Sequence, residues 1–289
     1  MEVTKKEHIS NIDKNRAFYD KKYKGVNVEG LIKTLNNLDA FLNDATTTDI
    51  SWVGMYVNNF KDAIKGKKIM ELGCGDCANV AVMAALGAEV IANDISDYSG
   101  DIVHALNSNY KFDHDITFFK GDFTSHDLAK QSLDMVIGKA FLHHLTLEHE
   151  LEVIKKISQV LKPSGEARFF EPAINSKLLD ELRWAVPMGK RPSKWLNRKA
   201  FEKWEESDPH PDRDNSSKHF KSLGTRFFSN VEIIPMGVLE RFYRILPFSV
   251  KTLRKYRRSA LRLEKYAPKL IQNVGARSQT IIYKMPKQK

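Results

Sequence analysis

Apolar positions in the first 65 residues recur at helical rather than strand spacing. Leu31, Leu35, Leu38 and Leu42 repeat at intervals of four, three and four, and Trp52, Met55, Val57 and Phe60 outline a second apolar face. From Lys67 the pattern changes to short apolar runs, KKIMEL, AEVIAND, DITFFKGD, LDMVIG and GEARFFEP, separated by helical stretches such as NVAVMAALG and LEVIKKISQVLK. Strands alternating with helices predict a parallel sheet covered on both faces. The right-handed sense of the crossovers makes it a doubly wound open sheet, with a binding crevice beyond the carboxyl ends of the strands. After Glu171 and Pro172 the alternation stops, and residues 173–228, Trp-rich and punctuated by Pro, predict a small helical cap. A last strand pair is expected at VEIIPMG, 231–237, and SQTIIYKMP, 278–286, with residues 238–277 inserted between them. The chain thus divides into N-terminal helices, 1–66, and an α/β domain, 67–289.

Composition narrows the class. The 289 residues are 42% hydrophobic and 28% charged, which excludes a disordered scaffold. Cys74 and Cys77 are the only cysteines, so no disulfide framework exists, and one pair cannot complete a four-ligand zinc site without histidines nearby. No metal centre is expected. No apolar run approaches the roughly 18 residues of a membrane span, and the N-terminal MEVTKKEHISNIDKNRAFYD is too polar for a secretory signal, so the reading is a cytoplasmic protein. The net charge of +10 is concentrated in one place. Residues 238–277 hold 11 Lys and Arg against Glu240 and Glu264, a local +9, while the rest of the chain sums to +1.

The chemistry centres on KIMELGCGDCANVAVMAALG, where an apolar strand ends at Glu71 and turns through Gly73 and Gly75 into a helix. Glycines at such a turn let a ligand approach the backbone, and the helix start offers free N–H groups. Asp94, at the end of the next strand, follows Gly75 by 19 residues, the separation at which a carboxylate meets ribose hydroxyls in doubly wound folds.

In this order and spacing ELGCGDC, the acid of ANDIS, the GDF after the third strand, LDMVIGKAFLHHL and VLKPSGEARFFEP resemble the class I S-adenosylmethionine-dependent methyltransferases over residues 67–172. The later elements fit that family's seven-stranded, Rossmann-like sheet. The resemblance implies S-adenosylmethionine as cofactor, with Glu71, Gly73, Cys74 and Gly75 around its methionine part, and Asp94 on the ribose with Ile95 against adenine. It further implies Asp122 and Phe123 at the adenine ring, and Lys139 near the methionine carboxylate or the substrate. Cys77 stands where the family usually has a third glycine, a replacement that fits if the local backbone is ordinary helix. A redox or metal reading of CGDC lacks its own fold context. A dehydrogenase reading lacks G-x-G-x-x-G, because Ala78 follows Gly75 by three.

Methyl transfer from a sulfonium needs in-line geometry, and a hydroxyl acceptor also needs a base. His143 and His144 end the fourth strand, either as catalytic groups or as helix-start histidines bonded to backbone. His144 falls where the similar phosphoethanolamine methyltransferases have an active-site histidine paired with a tyrosine of the N-terminal segment. Tyr19 or Tyr23, in AFYDKKY, matches that tyrosine, and in many relatives this segment closes over the cofactor, which makes residues 1–66 a gate. Glu171 either faces the crevice or caps the next turn. His210 reaches the substrate or lies in a solvent-exposed loop, and Trp184, Trp195 and Trp204 wall the acceptor or form the core of the cap. The amino-methylating Asn/Asp-Pro-Pro-Tyr/Phe motif is absent, its place taken by Gly138, Lys139, Ala140 and Phe141, and no Pro-Cys nucleophile occurs. The expectation is methylation of an oxygen or nitrogen on a small-molecule, lipid-linked or carbohydrate acceptor. An RNA or protein methyltransferase using 238–277 as its platform is the alternative. A non-catalytic cofactor-binding subunit fits poorly with the intact set Glu71, Gly73, Gly75 and Asp94.

Within the basic insertion Leu253, Tyr256, Ala260, Leu263, Ala267 and Leu270 repeat at three and four, with Arg and Lys on the remaining faces and an apolar FYRILPF before them. Three readings stand: a surface helix packed on its own domain, an interfacial helix on anionic lipid, or a nucleic-acid contact. The aromatic and Leu content beside the charge favours membrane over nucleic acid.

Overall fold

The computed structural model describes residues 2–188, 191–208, 210–246 and 249–287. Five helices open the chain: α1 (Glu2–Tyr23), α2 (Val28–Leu35), α3 (Leu38–Thr48), α4 (Ile50–Met55) and α5 (Phe60–Ala63). The Leu31–Leu42 stripe is split between α2 and α3 at Asn36 and Asn37, and Leu35 and Leu42 are its buried members. The α/β alternation follows as β1 (Lys68–Leu72), α6 (Ala78–Ala85), β2 (Glu89–Asp94), α7 (Asp97–Asn109), β3 (Thr117–Lys120), β4 (Leu133–Lys139), α8 (Leu147–Val160) and β5 (Leu161–Pro172). The cap contributes α9 (Lys177–Ala185), α10 (Arg198–Glu206) and α11 (Ser217–Phe227). The chain ends in β6 (Phe228–Met236), α12 (Val250–Leu263), α13 (Lys269–Gly275) and β7 (Ser278–Pro286).

The seven strands form one sheet in the order β3-β2-β1-β4-β5-β7-β6. The first five run parallel, and β7 lies antiparallel between β5 and β6. Strand order reverses between β1 and β4, so a crevice opens at their carboxyl ends, where the glycine turn and the histidine pair lie. Side chains alternate across the sheet at the strand period of two. Ile69, Met135 and Ile137 join a core with α2, α3, α4, α6 and α7, whereas Met70, Val136 and Phe169 join a second core with α8 and α11.

One buried charge fastens the N-terminal helices to the sheet. Arg168 on β5 donates to the carbonyls of Met55 at 2.9 Å and Val57 at 2.8 Å, pairs with Glu166 at 2.7 Å, and lies over the Phe60 ring. It satisfies the Met55 carbonyl at the end of α4, which has no partner within the helix, and the Val57 carbonyl just beyond it.

The basic insertion packs on its own chain. Arg254 and Arg258 of α12 pair with Asp44 of α3, and Arg257 and Arg277 share the buried Glu240 at 2.9 and 2.6 Å. The expected stripe holds at Leu253, Tyr256 and Ala260 and then fails, since Leu263 and Leu270 are exposed and Leu261 is buried instead. The cause is local. Glu264 leaves the helical path to accept from the N–H groups of Gly237 and Leu239 at 2.8 and 3.3 Å, and Pro268 follows, so the chain turns before α13. Of the preceding FYRILPF stretch, Pro247 and Phe248 lie outside the described residues.

Removing Glu240 leaves Arg257 and Arg277, both largely buried, without their shared carboxylate. Glu240→Ala is therefore expected to lower unfolding free energy by about 3 kcal/mol in urea titration. The exposed Lys255→Ala should stay within about 0.5 kcal/mol.

Candidate active site

Backbone geometry sets the floor of the crevice. Gly73 and Gly75 have φ of 65° and 55°, in the left-handed region that favours glycine. A Cβ on Gly73 would stand 2.7 Å from the Phe141 ring, and one on Gly75 2.6 Å from the Tyr23 hydroxyl. Cys77 precedes α6 with φ of 58°, not in the ordinary helical conformation that the sequence reading requires of it. A β-branchless thiol occupies a position where glycine is unstrained, which costs about 1 kcal/mol or more. Its Sγ lies 3.7 Å from that of Cys74.

Asp94, at the end of β2, binds this turn to the sheet. Its Oδ2 accepts from the Gly75 N–H at 2.8 Å and its Oδ1 from the Ser96 N–H at 2.9 Å. Burial raises its pKa above the ordinary carboxylate value, against the pull of these N–H groups. Glu71 is pushed up to about 7 by burial, opposed by the Lys139 charge and the bond from Asn79. Its Oε1 accepts from Asn79 Nδ2 at 2.9 Å, while Oε2 is buried without a partner. Burial would raise Asp122, but bonds from His149 and from the Thr124 N–H hold it well below the carboxylate range. Together with Cys74, Ile95, Phe123 and Lys139, these groups line a cavity of about 280 Å³. Lys139 Nζ lies 4.6 Å from the centre of the Trp52 ring.

Helix α1 lies across the mouth. Asn11 Nδ2 donates to the His144 carbonyl at 2.8 Å, Arg16 Nε to the Ile95 carbonyl at 3.1 Å, and the Ser96 hydroxyl to Asp20. Tyr23 extends over the glycine turn and stacks on Tyr19, whose hydroxyl is 3.1 Å from His144 Nε2. Burial, with the Asp208 and Asp94 charges, pushes Tyr19 up to about 12. Burial, with His143 and His210 beside it, holds His144 well below the usual histidine value, so its imidazole is neutral near pH 7.

His210 is drawn from the cap into this group, its ring 4.4 Å from that of His144 and 4.9 Å from that of His143, with Asp208 bonded to its Nδ1. Trp184 and Trp204 pack on Phe201 as the core of the cap, and Trp195 is exposed. Glu171 is not in the crevice. It is fully buried, accepts from the Phe141 and Leu142 N–H groups at 2.9 and 2.7 Å, and contacts His143 Nδ1 at 2.6 Å. Its carboxylate has no free face for a substrate, so it orders the loop that carries the histidines. His143 is accordingly spent on Glu171.

Arg213 holds the same loop from the other side. It donates to the Leu142 and Leu145 carbonyls at 2.7 and 3.0 Å and pairs with buried Glu150, which also bonds His219. Sequence reading missed Arg213, Asn11, Arg16 and Asp20, because each acts through a contact to an element distant in the chain. The only signal was the dense charge of PDRD and DKNR.

Residues 69–165 match the family described as "Methyltransferase domain". A ubiquinone biosynthesis O-methyltransferase of Idiomarina loihiensis is 28% identical over 116 residues, 39% of this chain and 46% of that protein. A sterol 24-C-methyltransferase of Debaryomyces hansenii is 26% identical over 144 residues, 47% of this chain and 37% of that protein. The chain thus spans less than half the length of these relatives. Among solved structures, a SAM dependent methyltransferase from Archaeoglobus fulgidus superposes with TM-score 0.51 at 16% identity, over 85% of this chain and 99% of that one. Phosphoethanolamine N-methyltransferase 1 of Haemonchus contortus gives 0.57 at 12%, over 97% and 50%. At these identities the structural likeness is one of fold. Residues 69–165 thus match a methyltransferase domain, and the ordered motifs and the seven-stranded sheet support the class I S-adenosylmethionine-dependent methyltransferase reading of the chain.

Proposed function

We propose that this protein transfers a methyl group from S-adenosylmethionine to an oxygen or nitrogen of a small acceptor that enters between α1, the loop after β4 and the cap. The observation that carries the reading is a neutral imidazole, His144, beside the Tyr19 hydroxyl on the wall of a cavity whose floor suits the cofactor. Glu71 Oε2 is a buried acceptor without a donor, the complement of an amino-acid ammonium. In this reading Asp94 and Ile95, which line the cavity, take the nucleoside, and Asp122 and Phe123 its base. When bound, the cofactor supplies an electrophilic methyl on a sulfonium. The chain's own work is then to orient the acceptor and remove a proton. His144 is able to take that proton from a hydroxyl, with Tyr19 fixing the direction of Nε2, and α1 serves as the gate that excludes water. The O-methyltransferase relative is named for oxygen as acceptor, which accords with a base at this position.

Use of the basic insertion as an RNA or protein platform is disfavoured by its pairing: Arg254, Arg257, Arg258 and Arg277 face carboxylates of this chain. What it leaves outward is amphipathic. Lys251, Lys255, Arg262, Lys265 and Lys269 are exposed and outside ion pairs among the described residues, and Tyr266, Leu270, Ile271 and Val274 are exposed beside them. No helix among the described residues is long and apolar enough to cross a membrane. Docking on an anionic membrane surface is the reading these side chains support.

Three outcomes are expected. Only ionised Glu71 pairs with an ammonium, and its value of about 7 lies inside the working range, so affinity for S-adenosylhomocysteine should rise about tenfold from pH 6 to pH 8 by calorimetry. Glu71→Gln should bind more weakly with a flat profile, and a flat wild-type profile would remove Glu71 from the ammonium. With an acceptor found by screening, His144→Ala should slow single turnover by about 10²-fold with homocysteine-cofactor affinity within about twofold. Because His144 is held low, the wild-type single-turnover rate at saturating cofactor, where Glu71 ionisation no longer limits binding, should show no acidic limb at 6.5; a limb there contradicts the assignment. Vesicles containing anionic lipid should retain the protein at low salt and neutral vesicles should not, whereas equal recovery on both would end the membrane reading.

A further inference from the structure

Three imidazoles meet beside the crevice. His143 and His144 stand together on the loop after β4, and His210 comes to them from the cap, so that the ring centres lie 4.2, 4.4 and 4.9 Å apart. One nitrogen of each ring lies within 4.8 Å of one nitrogen of each of the others. The group exists only in the folded chain, because His210 reaches the pair from a distant segment.

The outer hydrogen bonds decide which nitrogens remain. Glu171 accepts from the Phe141 and Leu142 N–H groups and meets His143 as a carboxylate, so His143 Nδ1 donates to it at 2.6 Å. Asp208 likewise accepts the His210 backbone N–H and stands against His210 Nδ1. Both rings carry their proton on Nδ1, and Nε2 of each is a lone pair that no donor among the described residues reaches. The third ring is placed the other way round. Tyr19 faces His144 Nε2 at 3.1 Å, and His144 Nδ1 is buried without a partner. A buried polar atom left in this state costs about 1–3 kcal/mol. Histidines that hold a transition metal have this form, with one nitrogen toward the ion and the other bonded to a carboxylate or similar group.

The donor set also selects the ion. Three imidazoles suit zinc, cobalt, nickel or copper, whereas magnesium and calcium take oxygen. Zinc–nitrogen bonds of about 2.0–2.1 Å in tetrahedral geometry bring ligand nitrogens to about 3.4 Å from one another, so the widest pair closes by at most about 1.4 Å. His210 is the member that turns to close it, being exposed on the cap loop, while Glu171 and Arg213 hold the loop of the other two. A fourth position is left for water.

We propose that His143, His144 and His210 bind a divalent transition-metal ion of the zinc class, and that the ion stops methyl transfer by holding the His144 proton on Nε2. With Nδ1 on the metal, Nε2–H donates to the Tyr19 oxygen and keeps no lone pair for a proton from the acceptor. The effect on turnover rests on the methyltransferase reading, but metal binding itself does not.

The test is calorimetric titration of the chelator-treated full chain with Zn²⁺, with S-adenosylhomocysteine titrated separately. Wild type should bind one ion with micromolar or tighter affinity and should not bind Mg²⁺. His210→Ala, at an exposed position, should lose at least tenfold in zinc affinity while still binding S-adenosylhomocysteine. His104→Ala/His114→Ala, which removes two exposed histidines elsewhere, should bind zinc as wild type does. Co²⁺ in place of Zn²⁺ should give the visible bands of a nitrogen-ligated ion. No zinc binding by wild type, equal loss in the His104/His114 variant, or a near-ultraviolet thiolate band that puts the ion on Cys74 and Cys77 overturns the site, whatever the cofactor titration gives. Imidazole ¹⁵N shifts read the proton directly: Zn²⁺ should leave His144 protonated on Nε2, and a metallated Nε2 overturns the block. In single turnover with a screened acceptor, Zn²⁺ should slow wild type at least tenfold and His210→Ala less than twofold, whereas unchanged or faster wild-type turnover overturns the block.

Discussion

The crevice depends on the buried carboxylate of Asp94. By accepting the Gly75 N–H with one oxygen and the Ser96 N–H with the other, it ties the glycine turn after β1 to the start of α7. The Cys74 N–H completes the tie through the Asn93 carbonyl, and Asn93 itself reaches across to the carbonyls of Phe119 and Gly121. Three strand ends are thereby fixed by polar groups that find no water. A carboxylate in this position must be fully satisfied to be tolerated, which makes the turn rigid and presents its backbone to a ligand at a set distance.

A second set of buried polar groups orders the other wall. Glu171 and Arg213 grip opposite sides of the Phe141–Leu145 loop, one through N–H groups and one through carbonyls, and so aim His144 at Tyr19. Neither touches the cavity. Their consequence is electrostatic: a histidine held among other imidazoles and away from carboxylates stays neutral, whereas His143, on Glu171, is committed to structure. The cap joins this wall through His210 and Arg213, so the cap loop is mechanically continuous with the loop that carries the histidines.

The strands were legible as apolar runs, since β1, β2, β4, β5 and β7 are buried along most of their length, and α6, α7 and α8 separate β1 from β2, β2 from β3 and β4 from β5. The glycine turn and its carboxylate were legible for a related reason. Gly73, Gly75 and Asp94 act near one another in sequence or at the fixed spacing of one strand–helix–strand unit. The pairing of Tyr19 with His144 came only from resemblance, because nothing local links residues 125 positions apart. For Glu171 the sequence leaves crevice and cap open, since a strand-end carboxylate reads identically whether it meets a substrate or backbone N–H groups, and the structure shows the N–H groups. The basic stripe ran on past Ala260 in sequence, but a helix follows its caps rather than its periodicity, and Glu264 and Pro268 end it. Cys77 was assigned ordinary helix, and only its φ of 58° reveals a glycine-like position.

The central claim is that the Asp94-centred turn holds the homocysteine cofactor. It is tested most directly by calorimetric titration of wild type and Asp94→Ala with S-adenosylhomocysteine, with NADH titrated in parallel. The account predicts micromolar binding of S-adenosylhomocysteine by wild type, its loss in Asp94→Ala, and no binding of NADH. Undiminished binding in Asp94→Ala, or binding of NADH in place of S-adenosylhomocysteine, would contradict it.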